Sequence, residues 1–530
     1  MRFCLIRTIY LHLNQTIKML KKIYGSAVFG VEAHTITIEV NVDKGIGYHL
    51  VGLPDNAIKE SNFRIAAALQ NNGYKIPGKK LIINMSPADM RKEGSAYDLP
   101  LAMGILAASN QIKEMHIERY IIMGELSLDG TVQSIKGALP IAIKALEEGF
   151  EGFILPKENA KEAAIVSGLK VYGVEHISEV IDCFDNNTPL EQTIVDTRAE
   201  FQKSLDHPEF DFSDVKGQES IKRCMEIAAS GGHNIILIGP PGAGKTMLAK
   251  RLPSILPPMT LHEALETTKI HSVVGRIGAQ KGLIAQRPFR SPHHTISNVA
   301  LVGGGSYPQP GEISLSHNGV LFLDELPEFK REVLEVMRQP LEDREVTISR
   351  AKFTVTYPSS FMLVASMNPS PSGYFNDPNA PMMSSATEMQ RYLGKISGPL
   401  LDRIDIHIEV TPVPFEKLSD ERKGESSVNI RKRVTKARAV QTKRFEDSEV
   451  VHYNAQMNTK QIRKYCKLDA SSMQLLKTAM ERLNLSACAY DRILKVARTI
   501  ADLEDKISIE SSHISEAIKY RGLDREGWLG

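Results

Sequence analysis

Hydrophobic and polar positions follow two different periods in the first part of the chain. Alternating runs such as Ala33–Val40 and Lys80–Met85 have the two-residue period of half-buried β-strands. The segments Asn56–Gln70 and Leu99–Ala108 have helical spacing instead. Strands and helices mixed in this way predict a first α+β domain over residues 22–185.

The pattern changes beyond residue 185. Residues 186–212 are polar and charged, and they predict a linker. Over residues 213–412, short continuous apolar runs alternate with helical segments, which predicts a parallel sheet flanked by helices. From 413 to 530 the spacing is helical. A chain of 530 residues is too long for one hydrophobic core, so several domains are expected.

Residues 1–21 precede this pattern. Their apolar patch is interrupted by Arg7 and His12 and lacks a small-residue cleavage site, so it does not fit a signal peptide. A regular strand pattern starts after Met19. We therefore expect that Met19 is the biological start, with residues 1–18 added before it. The segment 1–21 is expected to be a non-native or flexible extension.

Residues 239–246 carry the most specific chemical signal. They fit the phosphate-loop pattern G-x-x-x-x-G-K-[ST] and read Gly239, Pro240, Pro241, Gly242, Ala243, Gly244, Lys245 and Thr246. The apolar run His233–Ile238 precedes them and the helical run Met247–Leu252 follows, which is the strand, loop and helix that the motif requires. Lys245 is predicted to reach the β- and γ-phosphates, and Thr246 to bind Mg²⁺. The expected cofactors are therefore ATP and Mg²⁺.

Two later strands end in polar residues. The run Gly319–Leu323 leads into Asp324 and Glu325, at the strand end where open α/β sheets bind ligands. We predict that Asp324 holds Mg²⁺ and that Glu325 polarises the attacking water. Asn368, which follows another apolar strand, is predicted to sense the γ-phosphate. Taken alone, the acids could be solvated and the Asn-Pro could be a turn; the phosphate loop upstream favours the chemical interpretation.

Longer strings extend the argument to a family. Besides the phosphate loop, the chain contains Arg287–Ser297 (R-P-F-R-S-P-H-H-T-I-S), Gly311–His317 (G-E-I-S-L-S-H) and Gly398–Asp405 (G-P-L-L-D-R-I-D). With them, residues 213–520 resemble the AAA+ ATPases of the magnesium-chelatase and MCM helicase clade. The more specific resemblance is to the competence-associated, magnesium-chelatase-like family, known for a hexameric branch-migration helicase. The resemblance implies that Arg403 is an arginine finger for a neighbouring subunit. Sequence order alone leaves open a pairing of Arg403 with an adjacent aspartate.

Two stretches depart from the family pattern. Paired cysteines are often found where this chain reads Asn368-Pro369-Ser370-Pro371-Ser372-Gly373. Serines are poor ligands for soft metals, so we predict no zinc there. The family's second-sensor arginine falls at Cys488, and Arg492 lies four residues on, which is the same helix face if the helix has already begun. We predict either that Arg492 partly substitutes as a nucleotide ligand or that the lid is weakly coupled to ATP.

Residues 22–185 resemble the ribosomal-S5-like fold of the Lon proteolytic domain, through Gly94–Pro100 and Gly124–Val132. The resemblance places Ser95 near the Lon nucleophile, but the partner position falls in Gly137–Pro140, which contains no lysine. The nearby cations are in other registers and are Lys136 and Lys144. A serine without a base is a weak nucleophile. We predict an inactive domain in which the serine is a helix N-cap.

Charge and cysteine content narrow the partners. With a net charge of +2, the overall charge of the chain does not favour binding to a polyanion or to a membrane surface. No apolar run approaches the length needed to span a bilayer. The five cysteines are scattered, which fits a reducing cytoplasm. Local groups of basic residues could contact DNA, or they could simply be exposed to solvent. They lie over residues 431–444 and at Arg276, Lys281, Arg287 and Arg290. The adjacent His293 and His294 are expected to point to opposite faces of an extended chain.

The predicted fold class is α/β. It combines an S5/Lon-like α+β domain (22–185), a linker (186–212), an AAA+ core (213–412) and a helical lid (413–530). The predicted function is an ATP-hydrolysing motor, assembled as a homohexameric ring, that remodels single-stranded or branched DNA in recombination or natural transformation. Two alternatives are a magnesium-chelatase motor and a Lon-like protease. The first is not expected to carry the N-terminal domain, and the second lacks its lysine.

Overall fold

The computed structural model describes residues 20–113, 116–205, 210–278, 282–305, 307–350, 353–371, 385–413, 424–448 and 450–522. The chain forms two compact units. One holds the residues up to Ser204 together with Ala264–Ile284, and the other holds Leu205–Glu263 and the residues from Ala285 onward. The expected start at Met19 and nearly all of the extension 1–21 lie outside the described residues.

A seven-stranded sheet forms the centre of the first unit, and a two-stranded ribbon lies beside it. The strands of this unit are β1 (Leu20–Phe29), β2 (Glu32–Asp43), β3 (Gly47–Val51), β4 (Lys80–Ser86), β5 (Tyr120–Ile122), β6 (Glu125–Leu126), β7 (Val132–Gln133), β8 (Gly152–Pro156) and β9 (Lys170–Val174). The sheet order is β3-β4-β2-β1-β5-β8-β9. β2 is antiparallel to both β1 and β4, and the other neighbours are parallel. The predicted strands fall in β2 and β4, and β1 already includes the last two residues of the expected extension.

Helices cover this sheet and connect its strands. They are α1 (Asn56–Asn71), α2 (Asp98–Ala108), α3 (Ala138–Glu147), α4 (Lys157–Ala163), α5 (Ile177–Asn186) and α6 (Thr197–Leu205). Every residue of α2 is buried, because its sequence is apolar on all sides. A Cβ on Gly104 would lie 2.7 Å from Val40 and 2.9 Å from Ile23, so glycine permits α2 to approach the sheet closely. The predicted linker contains a helix, α6.

The second unit is built on a five-stranded parallel sheet with two short hairpins. Along the chain the strands are β10 (Ile235–Ile238), β11 (Phe289–Arg290), β12 (Gly303–Gly304), β13 (Gln309–Pro310), β14 (Val320–Leu323), β15 (Glu345–Arg350), β16 (Phe353–Pro358), β17 (Met362–Met367) and β18 (Ile406–Glu409). The sheet order is β11-β14-β17-β10-β18. All neighbours in the sheet are parallel, so the carboxyl ends of β10, β14 and β17 meet at one edge.

The remaining helices follow in chain order. They are α7 (Glu219–Gly231), α8 (Lys245–Ile255), α9 (Leu261–Val274), α10 (Asn298–Val302), α11 (Glu312–Leu315), α12 (Arg331–Glu335), α13 (Arg338–Asp343), α14 (Ala386–Leu393), α15 (Gly398–Leu401), α16 (Ser427–Arg444), α17 (Thr459–Tyr465), α18 (Ala470–Arg482), α19 (Ala487–Leu503) and α20 (Ser511–Lys519). Within the described residues, none of these helices combines the length and apolar character needed to cross a bilayer.

The segment Ala264–Ile284 belongs to the first unit although it lies inside the range expected for the ATPase core. Ser272 of this segment donates a hydrogen bond to the carboxylate of Glu162. The same carboxylate accepts a hydrogen bond from the Leu139 amide at 3.0 Å. Burial raises the pKa of Glu162, and the hydrogen bonds from Ser272 and Leu139 oppose that rise. A linear division of the chain therefore does not describe the first unit completely.

Helix α19 buries charged residues where the other C-terminal helices pack against it. Lys495, Arg498 and Asp502 are all buried. Asp502 accepts two hydrogen bonds from Arg444 of α16, at 2.7 and 2.6 Å, and one from Asn454 at 2.8 Å. A buried charge is strongly destabilising unless it is paired and hydrogen-bonded. The pairing therefore fixes how α16 lies against α19.

This packing divides the basic stretch predicted over residues 431–444. Arg433 forms ion pairs with two glutamates. Arg438 lies 4.3 Å from the ring centroid of Tyr453, and Arg444 is held by its aspartate. Helical spacing of cations does not reveal which of them are covered, so the stretch is not a continuous cationic face.

We predict that Arg444→Met destabilises the second unit by about 3–5 kcal/mol, because it leaves the buried Asp502 carboxylate without its main partner. Urea unfolding followed by circular dichroism measures the change. The matched control is Lys443→Met, an exposed neighbour on the same helix, which should change stability by less than about 0.5 kcal/mol. The double variant Arg444→Met/Asp502→Leu should recover most of the loss. Equal stabilities of the wild type and Arg444→Met would contradict the assignment.

Lys495 makes stability depend on pH. Burial, with repulsion from Arg492, lowers the pKa of Lys495 from 10.5 to about 8, while Asp405 and Asp491 oppose the shift and Arg344 adds to it. Between these values the unfolded chain binds a proton that the folded chain has lost, so stability rises with pH across this interval. We expect the free energy of unfolding of the wild type, relative to Lys495→Met, to increase by up to about 3 kcal/mol from pH 8 to pH 10.5. Urea titrations at successive pH values test this, and a constant difference would contradict it.

Candidate functional site

The phosphate loop connects β10 to α8, and glycine is required at its positions for two different structural reasons. Gly242 and Gly244 have φ values of 78° and 87°, in the left-handed region that side chains disfavour. A Cβ on Gly239 would lie 2.3 Å from the carbonyl oxygen of Val410 in the neighbouring chain segment. The sequence pattern therefore encodes both the curvature of the loop and its close approach to the strand beside it.

Lys245 lies across the inside of this loop. Its Nζ donates hydrogen bonds to the carbonyl oxygens of Gly239 at 2.6 Å and Pro240 at 3.0 Å, and to Asn368 Oδ1 at 3.1 Å. Burial lowers the pKa of Lys245, and the carboxylates of Asp324 and Glu325 oppose that shift. The structure thus brings together the predicted phosphate-binding lysine and the predicted sensor asparagine, more than a hundred residues apart in the chain.

Asp324 and Thr246 also meet at this edge. The Thr246 hydroxyl donates a hydrogen bond to Asp324 Oδ2 at 2.8 Å, and the Ser366 hydroxyl donates to the other carboxylate oxygen. A hydroxyl beside a carboxylate is the kind of oxygen donor set that Mg²⁺ prefers. The residues present therefore fit the predicted metal, which Thr246 and Asp324 would hold.

Ser366 is a site residue that the sequence reasoning missed. It is fully buried in β17, and its hydroxyl also accepts a hydrogen bond from the Glu325 amide at 3.3 Å. It therefore orients both acids that follow β14. The available signal was a single polar residue near the end of an otherwise apolar strand.

Glu325 stands in an unusual backbone conformation. Its φ is 54°, in the left-handed region, and its side chain is 57% exposed, which leaves the carboxylate accessible. His294 Nδ1 lies 3.7 Å from Glu325 Oε2. The expectation that His293 and His294 point to opposite faces is wrong. Their ring centroids are 4.1 Å apart, because the chain turns at this point instead of continuing as a strand.

Asn368 is anchored through its backbone as well as its side chain. The Tyr392 hydroxyl of α14 donates a hydrogen bond to the Asn368 carbonyl oxygen at 3.1 Å. Burial raises the pKa of Tyr392, so the phenol stays protonated as a donor. The stretch compared with the family's paired cysteines is described only in part, since Ser372 and Gly373 lie outside the described residues.

Arg403 follows α15 and has partners other than those considered from sequence order. Its guanidinium donates to the Pro399 carbonyl oxygen and forms an ion pair with Glu342 at the end of α13. The neighbouring Asp405 pairs with Arg492 instead. A contact between Arg403 and nucleotide stays a prediction, and the side chain is held near the surface by an exposed glutamate.

Arg492 is placed beside the Arg403 loop. Its Nη1 lies 3.1 Å from Asp405 Oδ1, and its Nε donates to the Asp402 carbonyl oxygen at 3.2 Å. α19 begins at Ala487, so Cys488 and Arg492 share a helix face, as the prediction required. The role of Arg492 as a nucleotide ligand stays a prediction.

Ser95 has a different setting from the one predicted. It is the first residue of a 3₁₀ turn before α2 and makes no N-cap hydrogen bond; its hydroxyl donates to the carboxylate of Glu125. Lys144 is engaged by two glutamates, and Lys136 packs against Gly275. The N-cap prediction is wrong, because Gly94 occupies the N-cap position and Ser95 is already the first residue of the turn.

Two of the arginines considered for DNA contact, Arg287 and Arg290, have partners within the second unit instead. Arg287 donates to the Pro257 and Asn318 carbonyl oxygens, at 2.7 Å each, and pairs with Glu263. Arg290 forms a two-pronged pair with a glutamate of α11, at 2.5 and 2.8 Å. These guanidinium groups are occupied inside the unit. Lys281 lies outside the described residues.

Three family descriptions match successive parts of the chain. "Subunit ChlI of Mg-chelatase" matches residues 38–159, "Magnesium chelatase, subunit ChlI" matches 211–418, and "Magnesium chelatase, subunit ChlI C-terminal" matches 424–521. Together the matched residues include parts of both units. The matches thus place the phosphate loop, both acids, Asn368 and Arg403 within one matched region.

Similar proteins extend over almost the whole chain. The uncharacterized protein YifB of Escherichia coli (strain K12) is 43% identical over 505 residues, which cover 95% of this chain and 97% of that protein. The competence protein ComM of Haemophilus influenzae is 42% identical over 506 residues, with coverages of 95% and 97%. Lon protease 2 of Bacillus subtilis is 29% identical over 157 residues, or 27% of each chain.

We predict that Thr246→Ala removes most of the Mg²⁺ dependence of nucleotide binding, because the hydroxyl that meets Asp324 is lost. A fluorescent ADP analogue is titrated in Mg²⁺ and in EDTA. The wild type should bind about 10- to 100-fold more tightly with Mg²⁺, since hydrogen bonds to charged groups contribute about 1.5–3 kcal/mol. The variant should show little difference. Thr442→Ala, at an exposed threonine of α16, should behave as the wild type, and an undiminished Mg²⁺ effect in Thr246→Ala would contradict the assignment.

Proposed function

Because the chain belongs to the magnesium-chelatase-like AAA+ family that includes ComM and the YifB proteins, we propose that it is an ATP-hydrolysing motor acting on DNA. The observation that carries the ATP assignment is the meeting of Lys245, Thr246, Asp324 and Asn368 at one edge of the parallel sheet. The DNA assignment rests on the similarity to the competence protein ComM along nearly its whole length.

The proposed chemistry is hydrolysis of the terminal phosphate by water. Lys245 binds the β- and γ-phosphates. Its Nζ lies on the inside of the loop, within hydrogen-bond distance of the Gly239 and Pro240 carbonyl oxygens. When bound, Mg²⁺ would supply positive charge that offsets the negative charge developing on the phosphates. Asp324 and Thr246 supply its protein oxygens, and Ser366 keeps the aspartate in place.

Glu325 is proposed to orient and polarise the attacking water. Its side chain is 57% exposed, so the carboxylate is accessible, and its backbone is in the left-handed region directly after β14. Asn368 is proposed to hydrogen-bond the γ-phosphate or the water. Because Asn368 contacts Lys245, the two side chains are arranged for the same group.

Arg403 is proposed as the arginine finger of a neighbouring subunit in a homohexameric ring that works in the cytoplasm. Its side chain lies in the loop after α15 and forms an ion pair with Glu342. If Arg403 paired with the phosphate of a neighbour in place of Glu342, its positive charge would lie where negative charge develops during hydrolysis. We do not assign the DNA contact to the cations of α16, because three of them have partners within the unit.

The two alternative activities have less support. A magnesium-chelatase motor is favoured by the family descriptions, but the relatives that span nearly the full chain include ComM and YifB. A Lon-like protease would need the lysine partner of Ser95, and Gly137–Pro140, where that partner would fall, contains no lysine. Stimulation of ATPase activity by DNA separates the proposed function from both.

The test compares the wild type with Glu325→Gln, in ATP hydrolysis and in branch migration on a synthetic four-way DNA junction. The wild type should hydrolyse ATP faster with DNA and move the junction. Glu325→Gln should still bind nucleotide but lose hydrolysis by about 100-fold or more, because only the water-activating carboxylate is changed. ATPase activity unaffected by DNA, or junction movement retained by Glu325→Gln, would contradict the proposal.

A further inference from the structure

One guanidinium contacts the chain on both sides of Arg403. We call residues Asp402–Asp405 the finger loop. The Nε of Arg492 donates to the carbonyl oxygen of Asp402 at 3.2 Å, and its Nη1 lies 3.1 Å from the carboxylate of Asp405. Arg492 belongs to the lid helix α19, so the lid grips the finger loop through a single planar side chain.

The far side of the finger loop is held by the residues that lead into the phosphate-loop strand. His233 Nδ1 lies 2.9 Å from the second carboxylate oxygen of Asp405. The Asn234 side-chain amide donates to the Arg403 carbonyl oxygen at 3.0 Å, and the Asn234 carbonyl oxygen accepts from the Asp405 amide at 3.0 Å. The finger loop therefore lies between the phosphate-loop strand and the lid.

The carboxylate at the centre of these contacts is buried, and its residue is 2% exposed. Burial alone would raise the pKa of Asp405, but Arg492 and the hydrogen-bonded His233 hold it well below its ordinary value. His233 also reaches Thr499 of α19, with 2.8 Å between its Nε2 and the threonine hydroxyl. The lid helix thus contacts Asp405 directly through Arg492 and indirectly through His233.

These contacts argue against a simple nucleotide-binding role for Arg492. If the guanidinium turned away to bind a phosphate, the buried Asp405 carboxylate would lose its cationic lid partner, which is strongly unfavourable. The finger loop would lose a contact on each side of Arg403 at the same time. The arrangement suits a side chain that stays in place and transmits the position of the lid.

We propose that Arg492 is a positioning residue for Arg403. Movement of the lid moves the finger loop through Arg492, and this sets where Arg403 is presented to the neighbouring subunit. The inference rests on the proposed function, since it takes Arg403 to act on a neighbour's nucleotide. It adds a mechanical link, within one chain, between the lid and the site of the next subunit.

The test measures nucleotide affinity and turnover separately in Arg492→Met, Arg403→Ala and the double variant. Affinity is measured with a fluorescent ADP analogue, and assembly by size-exclusion chromatography. For Arg492→Met we expect the dissociation constant to stay within about twofold of the wild type while kcat falls about 10- to 100-fold, as misplacement of a catalytic group does. The double variant should be no slower than Arg403→Ala, because residues acting as a unit are not additive.

Controls separate the other roles of an arginine. Arg482→Met, at an exposed arginine closing α18, should leave all three measurements unchanged. Arg492→Lys keeps a charge for Asp405 and should recover part of kcat. If Arg492→Met does not fold, Arg492→Lys and Asp405→Asn replace it, with the same pattern and a smaller loss.

Three results would overturn the inference. A dissociation constant raised tenfold or more in Arg492→Met would identify a nucleotide ligand. A double variant slower than Arg403→Ala by the full Arg492→Met factor, with a lowered melting temperature, would identify a purely structural residue. Normal kcat in Arg492→Met, with Arg403→Ala inactive, would contradict this inference but not the proposed function. Normal turnover by an assembled Arg403→Ala would instead contradict the arginine-finger role in the proposed function.

Discussion

The parallel pairing of β10 between β17 and β18 is the constraint on which the candidate site depends. Ile238, the last residue of β10, is in register with Met367 on one side and Glu409 on the other. The pairing continues into the loop, where the Gly239 amide donates to the Met367 carbonyl oxygen at 3.2 Å. This register places the start of the phosphate loop beside Asn368, so the side chains of Lys245 and Asn368 lie within hydrogen-bond distance of each other.

The same register explains the arrangement of the acids. β14 lies on the other side of β17, with Leu323 opposite Ala365, so Ser366 reaches the carboxylate that follows β14. A one-residue shift would turn Ser366 to the opposite face of the sheet, because successive side chains alternate. The backbone hydrogen bonds of a buried sheet thus set distances among side chains that are far apart in the chain.

Buried charge gives the lid a different kind of specificity. α19 carries Arg492, Lys495, Arg498 and Asp502 on surfaces that would be apolar in a simple helical bundle. Arg492 and Asp502 pair with charged residues of other elements, while Arg498 pairs with Asp502 of the same helix. Lys495 donates to the Ala455 carbonyl oxygen. Such contacts restrict how helices can pack even where they add little stability. Two of the pairs join α19 to the finger loop and to α16, so the lid is connected to the nucleotide core through polar contacts with defined geometry.

The sequence by itself determined the phosphate loop, the strands that end at the acids and at Asn368, the α/β class and the helical C-terminal region, because these depend on local periodicity and on motifs within a few residues. It also directed attention to Arg403 and Arg492 through their strings. Only the tertiary structure decided that Ser366 supports Asp324, that Arg492 contacts the finger loop, that Ser95 meets Glu125 and that most of the α16 arginines have partners within the unit. Those outcomes depend on contacts between segments that are far apart in the chain, and local spacing and residue type carry no information about such contacts.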